Sequence, residues 1–184
     1  MEEKKIHRAF VAIDFPESII KEVARVQEVL WNFRFTGKMT ELENLHLTLK
    51  FFGEIDDAML DKVKERLQRV EVKEMDLRLG KIGTFGMRGK PRIVWIKIDG
   101  RDVFELQRRV DSVLDGLFEK ENRFMSHMTI ARVKYVKDAG GFREYVRGIG
   151  IKEVRFKIGK FKLKESELWS FGPLYKDLEV YSFY

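Results

Sequence analysis

Apolar positions along the chain recur with two different periods, and the changes of period mark its elements. Residues 8–13 are a short apolar run rich in β-formers, with Phe10, Val11 and Ile13, and read as a buried strand. Asp14, Phe15 and Pro16 end it and open a helix, in which Ile19, Val23, Val26 and Leu30 return at helical spacing. Residues 45–52 read as the next strand, closed by Gly53. Asp56 and Asp57 then supply a cap for a helix whose apolar face is Leu60, Val63, Leu67 and Val70. Met75, Leu77 and Leu79 alternate as a strand does, and the glycine-rich stretch 80–92 reads as a loop.

The second half restarts the series. Val94, Ile96 and Ile98 alternate with Trp95 and Lys97, and Val103, Leu106, Val110, Val113 and Leu117 then form one helical face. Residues 128–133 read as a strand, 139–147 as a weaker helix, 154–163 as one alternating strand and 178–183 as a closing strand. Each half thus reads strand, helix, strand, helix, strand. From Phe10 to His46 is 36 residues and from Trp95 to His127 is 32, which predicts two related lobes. The order suits an α+β fold and not a doubly wound parallel sheet. No linker divides the chain, so residues 1–184 are expected to form a single bilobal domain.

Composition narrows the chemistry. The 184 residues include no cysteine, which removes disulfides, thiolate metal sites and a cysteine nucleophile. Three histidines, His7, His46 and His127, are too few for a histidine-rich metal centre, and no metal or other cofactor is expected. The net charge of +6 is compatible with a polyanionic partner. No apolar run has the length of a membrane span, and Met1–Lys5 lacks the apolar stretch of a signal peptide, so a cytoplasmic protein with no membrane partner is expected. Charged residues make up 36% of the chain and Asn plus Gln number only six, a bias typical of thermophiles.

The chemistry-bearing signal is a repeated tetrapeptide. His46-Leu47-Thr48-Leu49 lies in one expected strand, and His127-Met128-Thr129-Ile130 in its counterpart. Residues i and i+2 of a strand share a face, so each motif projects a His/Thr pair from a strand whose other face is apolar. A lone strand histidine is ordinarily a satisfied core residue. Two of three histidines with Thr at +2, in a chain of five threonines and at matching places in both halves, point to a site. His7 lacks the Thr and reads as a surface or strand-edge residue. One imidazole can act as base while the other acts as acid, and Thr hydroxyls can hold non-bridging phosphate oxygens. That set suits in-line displacement at phosphorus without a metal.

Paired His-x-Thr-x motifs of this kind resemble those of the two-histidine phosphoesterase superfamily. Residues 8–13, 44–53 and 86–92, the run His127 to Arg132, and Ser166 to Leu168 with Gly172 to Tyr175 resemble the 2′-5′ RNA ligase / RNA 2′,3′-cyclic phosphodiesterase family of bacteria and archaea. Ser126 departs from the pattern, where proline is expected before the second histidine. The resemblance implies two pseudo-symmetric lobes of antiparallel sheet with outer helices around a central cleft. It implies opening of RNA 2′,3′-cyclic phosphates to 2′-phosphates, joining of such ends to 5′-hydroxyls, and RNA ends such as tRNA halves as partners; a monomer is expected because the sequence shows no heptad and no obvious exposed apolar patch. It also tips the roles, which the residues alone leave symmetric, toward His127 as base and His46 as acid on O3′.

Thr48, Thr129 and Arg132 are the expected phosphate-binding residues. Regular alternation would turn Arg132, at +5 from His127, to the opposite face; the family pattern places an arginine beside the phosphate. Arg88, Lys90 and Arg92 on the glycine-rich stretch and Phe85 beside them are candidate RNA contacts. Phe51 reads as core, with base stacking the alternative, and the run Lys157, Lys160, Lys162, Lys164 as a solvated strand face. Two other kinds of function stay open at this point: an RNA- or nucleotide-binding module without turnover, and a different two-histidine phosphoesterase, one that trims 3′ ends or hydrolyses a small cyclic nucleotide.

Overall fold

The computed structural model describes residues 5–170 and 172–184; the segment read against a signal peptide, Met1 to Lys4, lies outside them. Among the described residues the order is β1 (Ile6–Asp14), α1 (Glu17–Trp31), β2 (Thr36–Met39), a 3-10 turn (Leu42–Asn44), β3 (His46–Asp56), α2 (Asp57–Leu67), β4 (Met75–Met87), β5 (Lys90–Asp99), α3 (Asp102–Val113), β6 (His127–Tyr135), α4 (Ala139–Gly148), β7 (Arg155–Ile158), β8 (Lys160–Trp169) and β9 (Gly172–Ser182).

Two antiparallel sheets result. One has the order β3-β1-β8-β9 and the other β2-β6-β5-β4-β7. Without β2 at its edge, the second sheet repeats the first: β6, β5, β4 and β7 take the places of β3, β1, β8 and β9. The fold is therefore α+β with two related lobes, as the pattern predicts, but the lobes are not the two halves of the chain. The run 154–163 splits at Gly159 into β7, which pairs with β4, and β8, which crosses to the first sheet and pairs with β1. The short β2, unread in the sequence, pairs with β6 of the other lobe.

Two of the helices cross in the same manner: α1 follows β1 but packs on β6, and α3 follows β5 but packs on β3 as well as on β4, whereas α2 and α4 stay on their own sheets. The predicted face of α1, Ile19, Val23, Val26 and Leu30, is buried, and so are Val103, Leu106 and Val110 of α3; that helix ends at Val113, which is only partly buried, and Leu117 lies beyond it. A continuous apolar cluster runs from Val11 and Leu47 in one sheet through Ile96 and Met128 in the other, so burial holds the lobes as one body. Asp56 caps α2, its carboxylate accepting from the Met59 amide at 2.9 Å.

The glycine-rich stretch 80–92 is not a loop. β4 runs on to Met87 and pairs with β5 through a tight turn at Arg88 and Gly89. Its glycines serve close approach: a Cβ on Gly83 would stand 2.5 Å from the Trp95 ring. Gly53 likewise does not end β3. Phe52 is an extra residue in the β1–β3 ladder, and Gly53, at φ 72°, lets the strand continue past it to Asp56.

Candidate active site

The two motif strands share a local irregularity. In the β1–β3 ladder Ala12 faces Thr48 and Val11 faces Lys50, which leaves Leu49 unpaired. In the β5–β6 ladder Trp95 faces Thr129 and Val94 faces Ala131, which leaves Ile130 unpaired. Both bulges fall three residues after the histidine. Each inserts one residue and so inverts the alternation beyond it. The residue five positions after each histidine, Phe51 or Arg132, therefore returns to the face of the His and Thr. That resolves the parity conflict at Arg132. The carbonyl freed at the Ile130 bulge accepts from the Thr40 amide and from Gln27 Nε2 of α1, each at 2.9 Å.

His46, Thr48, His127, Thr129 and Arg132 line one cleft of about 250 Å³ between the sheets. In both imidazoles Nδ1 donates to the backbone carbonyl two residues earlier, Asn44 for His46 and Met125 for His127, each at 2.7 Å. With Nδ1 committed as a donor, the neutral ring keeps its lone pair on Nε2. Thr48 Oγ1 donates to His46 Nε2 at 3.0 Å. Asn44 is itself held, its buried side-chain amide donating to the Pro173 carbonyl at 3.1 Å.

Around His46 the rings of Phe10 and Tyr175 each lie 5.1 Å away, with Tyr175 edge-on. Burial in this setting pushes the His46 imidazole below its ordinary pKa. The Asn44 carbonyl opposes the shift, Lys164 adds to it, Asp14 opposes it, and Arg132 adds again. Among the described residues His127 has one ring neighbour, Phe85, edge-on at 5.2 Å, and Phe85 in turn lies on Trp95. The arrangement places two imidazoles, two hydroxyls and a guanidinium around one open cleft.

A family profile described as LigT like Phosphoesterase matches residues 13–95. The RNA 2′,3′-cyclic phosphodiesterase of Methanocaldococcus jannaschii is 35% identical over 92% of this chain and 96% of its own. That of Archaeoglobus fulgidus is 36% identical over 95% and 99%. The chain belongs to the LigT-like phosphoesterase family. The fold agrees: a crystal structure from Thermus thermophilus superposes with TM-score 0.79 at 25% identity over 95% of this chain and 97% of that one. Escherichia coli LigT complexed with 3′-AMP gives 0.75 at 21% over 97% and 99%.

In this LigT-like chain not every residue singled out from sequence reaches the cleft. Arg88, Lys90 and Arg92 sit at the far end of the β4–β5 hairpin and are not among its lining residues. Phe85 supports the His127 ring. Phe51 is not core: it is 52% exposed on the cleft wall, with the Arg8 guanidinium over its ring at 5.3 Å. Arg8, Phe10 and Tyr175 also line the cleft; nothing in their spacing marks them as site residues, although all three lie in the strings that carry the family resemblance.

Two further expectations fail in the same sheet. Lys162 and Lys164 are not a solvated face. Lys164 Nζ lies 2.9 Å from Asp14 and 2.8 Å from Asp177, and Lys162 Nζ lies 2.7 and 2.5 Å from the same two carboxylates. His7 is not at the surface but only 4% exposed, its Nδ1 2.6 Å from Glu165 and its Nε2 2.8 Å from Asp57. Both misreadings have one cause. β1 is an inner strand covered by α2 on one face and facing the cleft on the other, so polar residues along it and along β8 find partners inside the fold.

Proposed function

We propose that the protein is an RNA 2′,3′-cyclic phosphodiesterase, and that its two histidines open the cyclic ester as acid and base. The observation that carries this reading is the pair of imidazoles locked through Nδ1 onto backbone carbonyls, each left with Nε2 in the same cleft. The names of the M. jannaschii and A. fulgidus relatives support it.

The roles follow from the product. His127 Nε2 takes a proton from water as the water oxygen attacks phosphorus. The P–O3′ bond breaks, and O3′ receives the proton of His46, leaving a 2′-phosphate and a 3′-hydroxyl. Thr48, Thr129 and Arg132 hold the non-bridging oxygens, where positioned donors and charge stabilise the transition state. Burial holds the free His46 ring below its ordinary pKa and so neutral, and as the acid it takes up its proton when the bound phosphate brings a negative charge beside it. Phe51, backed by Arg8, offers its open face to the terminal base. With the 5′-hydroxyl of a second RNA in place of water, the same steps join two ends. The same reading makes tRNA halves the substrate to assay first, for an enzyme acting as a cytoplasmic monomer.

An RNA ending in a 2′,3′-cyclic phosphate, incubated in EDTA, should yield a 2′-phosphate at unchanged length. His46→Ala and His127→Ala should each cut the rate by about 10²–10⁴. A shortened RNA, or full rates in both variants, would overturn the reading.

A further inference from the structure

The ladder pairs Arg132 with Ile93. Outward from that pair, away from His127, β6 carries Lys134, β5 carries Arg92 and Lys90, and the turn carries Arg88. The turn is fixed in place. Arg92 Nη1 donates to the Lys134 carbonyl at 2.8 Å, and Arg143 of α4 donates to the Gly89 carbonyl at 2.6 Å from the helix side. Arg88 and Gly89 lie at φ 51° and 74°, the conformation a two-residue hairpin turn requires and one that an arginine rarely adopts.

Among the described residues none of Arg88, Lys90, Arg92, Lys134 and Arg132 has a carboxylate within ion-pair distance. Some cations elsewhere are answered, Lys157 by Glu74, Arg109 by Glu105, Lys162 and Lys164 by two aspartates, and what sets these five apart is that they stand together on one hairpin and its neighbouring strand. The stripe that starts in the cleft is left positive. Beside it, Met87 stands opposite Lys90 on the strand face that carries Phe85, and is 65% exposed. The β8–β9 hairpin of the other lobe has the reverse character: no Lys or Arg occurs between Glu165 and Tyr175.

We propose that the β4–β5 hairpin is the docking surface for the RNA strand leading to the reacting end, with Lys134, Arg92, Lys90 and Arg88 holding the phosphates that precede the one at Arg132, and Met87 beneath a base. This rests on the acid–base reading above for which end of the strand lies in the cleft. Phosphate contacts of this kind position a strand without reading its sequence, so the substrate is an RNA chain of any sequence, bound better than a mononucleotide.

The test uses a labelled single-stranded RNA decamer ending in a 2′-phosphate, whose binding needs no turnover. Anisotropy is followed over a salt series for the unmodified protein and for the double variant Arg88→Asn/Lys90→Ser, in which Asn suits the left-handed backbone. The variant should bind about tenfold more weakly at low salt, and the log–log salt slope should fall by about 1.4, at about 0.7 for each phosphate that is no longer neutralised. The rate of opening a cyclic decamer, relative to a cyclic mononucleotide, should drop by the same factor. Unchanged affinity and slope, or an equal drop on decamer and mononucleotide, would overturn the proposal. A protein that binds the decamer in this way but opens no cyclic end would overturn the acid–base reading and leave the docking surface standing.

Discussion

β3 and β6 place their histidines by the same means and then surround them differently. Both rings are pinned through Nδ1 two residues back, and both strands bulge at the third residue after the histidine. The cross-strand neighbour of His46 is Asp14, whereas that of His127 is Lys97. Among the described residues His46 is wedged between two rings and bonded to Thr48, while His127 meets one ring. After the bulge the strands read Lys50-Phe51 and Ala131-Arg132. The backbone device that aims an imidazole is thus kept in both lobes, and the side chains around it differ. A symmetric scaffold can in this way carry two unlike proton-transfer groups.

The largest effect expected from this asymmetry is on the leaving group. Replacing the bridging 3′-oxygen of the cyclic ester by sulfur gives a group that departs without a proton. His46→Ala should then recover about 10²-fold or more of the rate it loses on the oxygen substrate, and His127→Ala should recover almost none. The comparison is made on the rate of ring opening. Rescue of His127→Ala in place of His46→Ala would exchange the two roles and leave the pair intact.

How far the sequence reveals this depends on how local the cause is. The His-x-Thr pairs are legible because two residues of strand suffice to put them on one face. Arg132 and Phe51 are not, because a bulge between them and the histidine resets the alternation, and the bulge is held by partners far along the chain, such as Gln27 at Ile130. Helix faces are legible from periodicity, yet nothing in the period of α1 says that it packs on the other lobe. Glycines in 80–92 suggest a loop, since the reason for Gly83 is a tryptophan on a strand not yet paired. β7 and β8 share one alternation and part only because their ladders lie in different sheets.

A smaller effect tests why β3 has Lys50 where β6 has Ala131. The Leu49 bulge turns Lys50 inward, where Nζ reaches Asp111 at 2.5 Å and the Glu119 carbonyl at 2.6 Å. Asp111 also accepts from Gln107 and from the Glu121 amide. Burial pushes the Asp111 carboxyl up, but Lys50 and these donors hold it below its ordinary range. The cluster ties α3 and the segment before β6 to the first sheet. Lys50→Ala, which makes β3 read as β6 does, should cost about 3–5 kcal/mol in chemical denaturation because it strands a buried carboxylate. The double variant Lys50→Met/Asp111→Leu should regain most of that stability. A single variant as stable as the parent would mean that the pair does not hold the lobes.

The smallest expected effect separates the two kinds of histidine in the first lobe. His46 lies in a desolvated cleft beside cations and is held below its ordinary pKa. His7, buried on the other side of β1, is raised, because Asp57 and Glu165 accept from its two nitrogens against the cost of burial. Asp57 is correspondingly lowered by His7. The sign for His7 is that of a cation stabilised by folding. Its contribution is complete below the unfolded value of about 6.5 and disappears as pH rises through the raised folded value. A buried imidazolium bonded to two carboxylates contributes about 1.5–3 kcal/mol by such bonds. The parent should therefore lose stability to urea as pH climbs above neutral, and His7→Gln, which cannot carry the charge, should be less stable at pH 6 and lack that slope. At high pH the two curves should approach each other. Parallel curves across the range would mean that His7 is buried neutral, and its likeness to His46 would then be closer than its two carboxylate partners suggest.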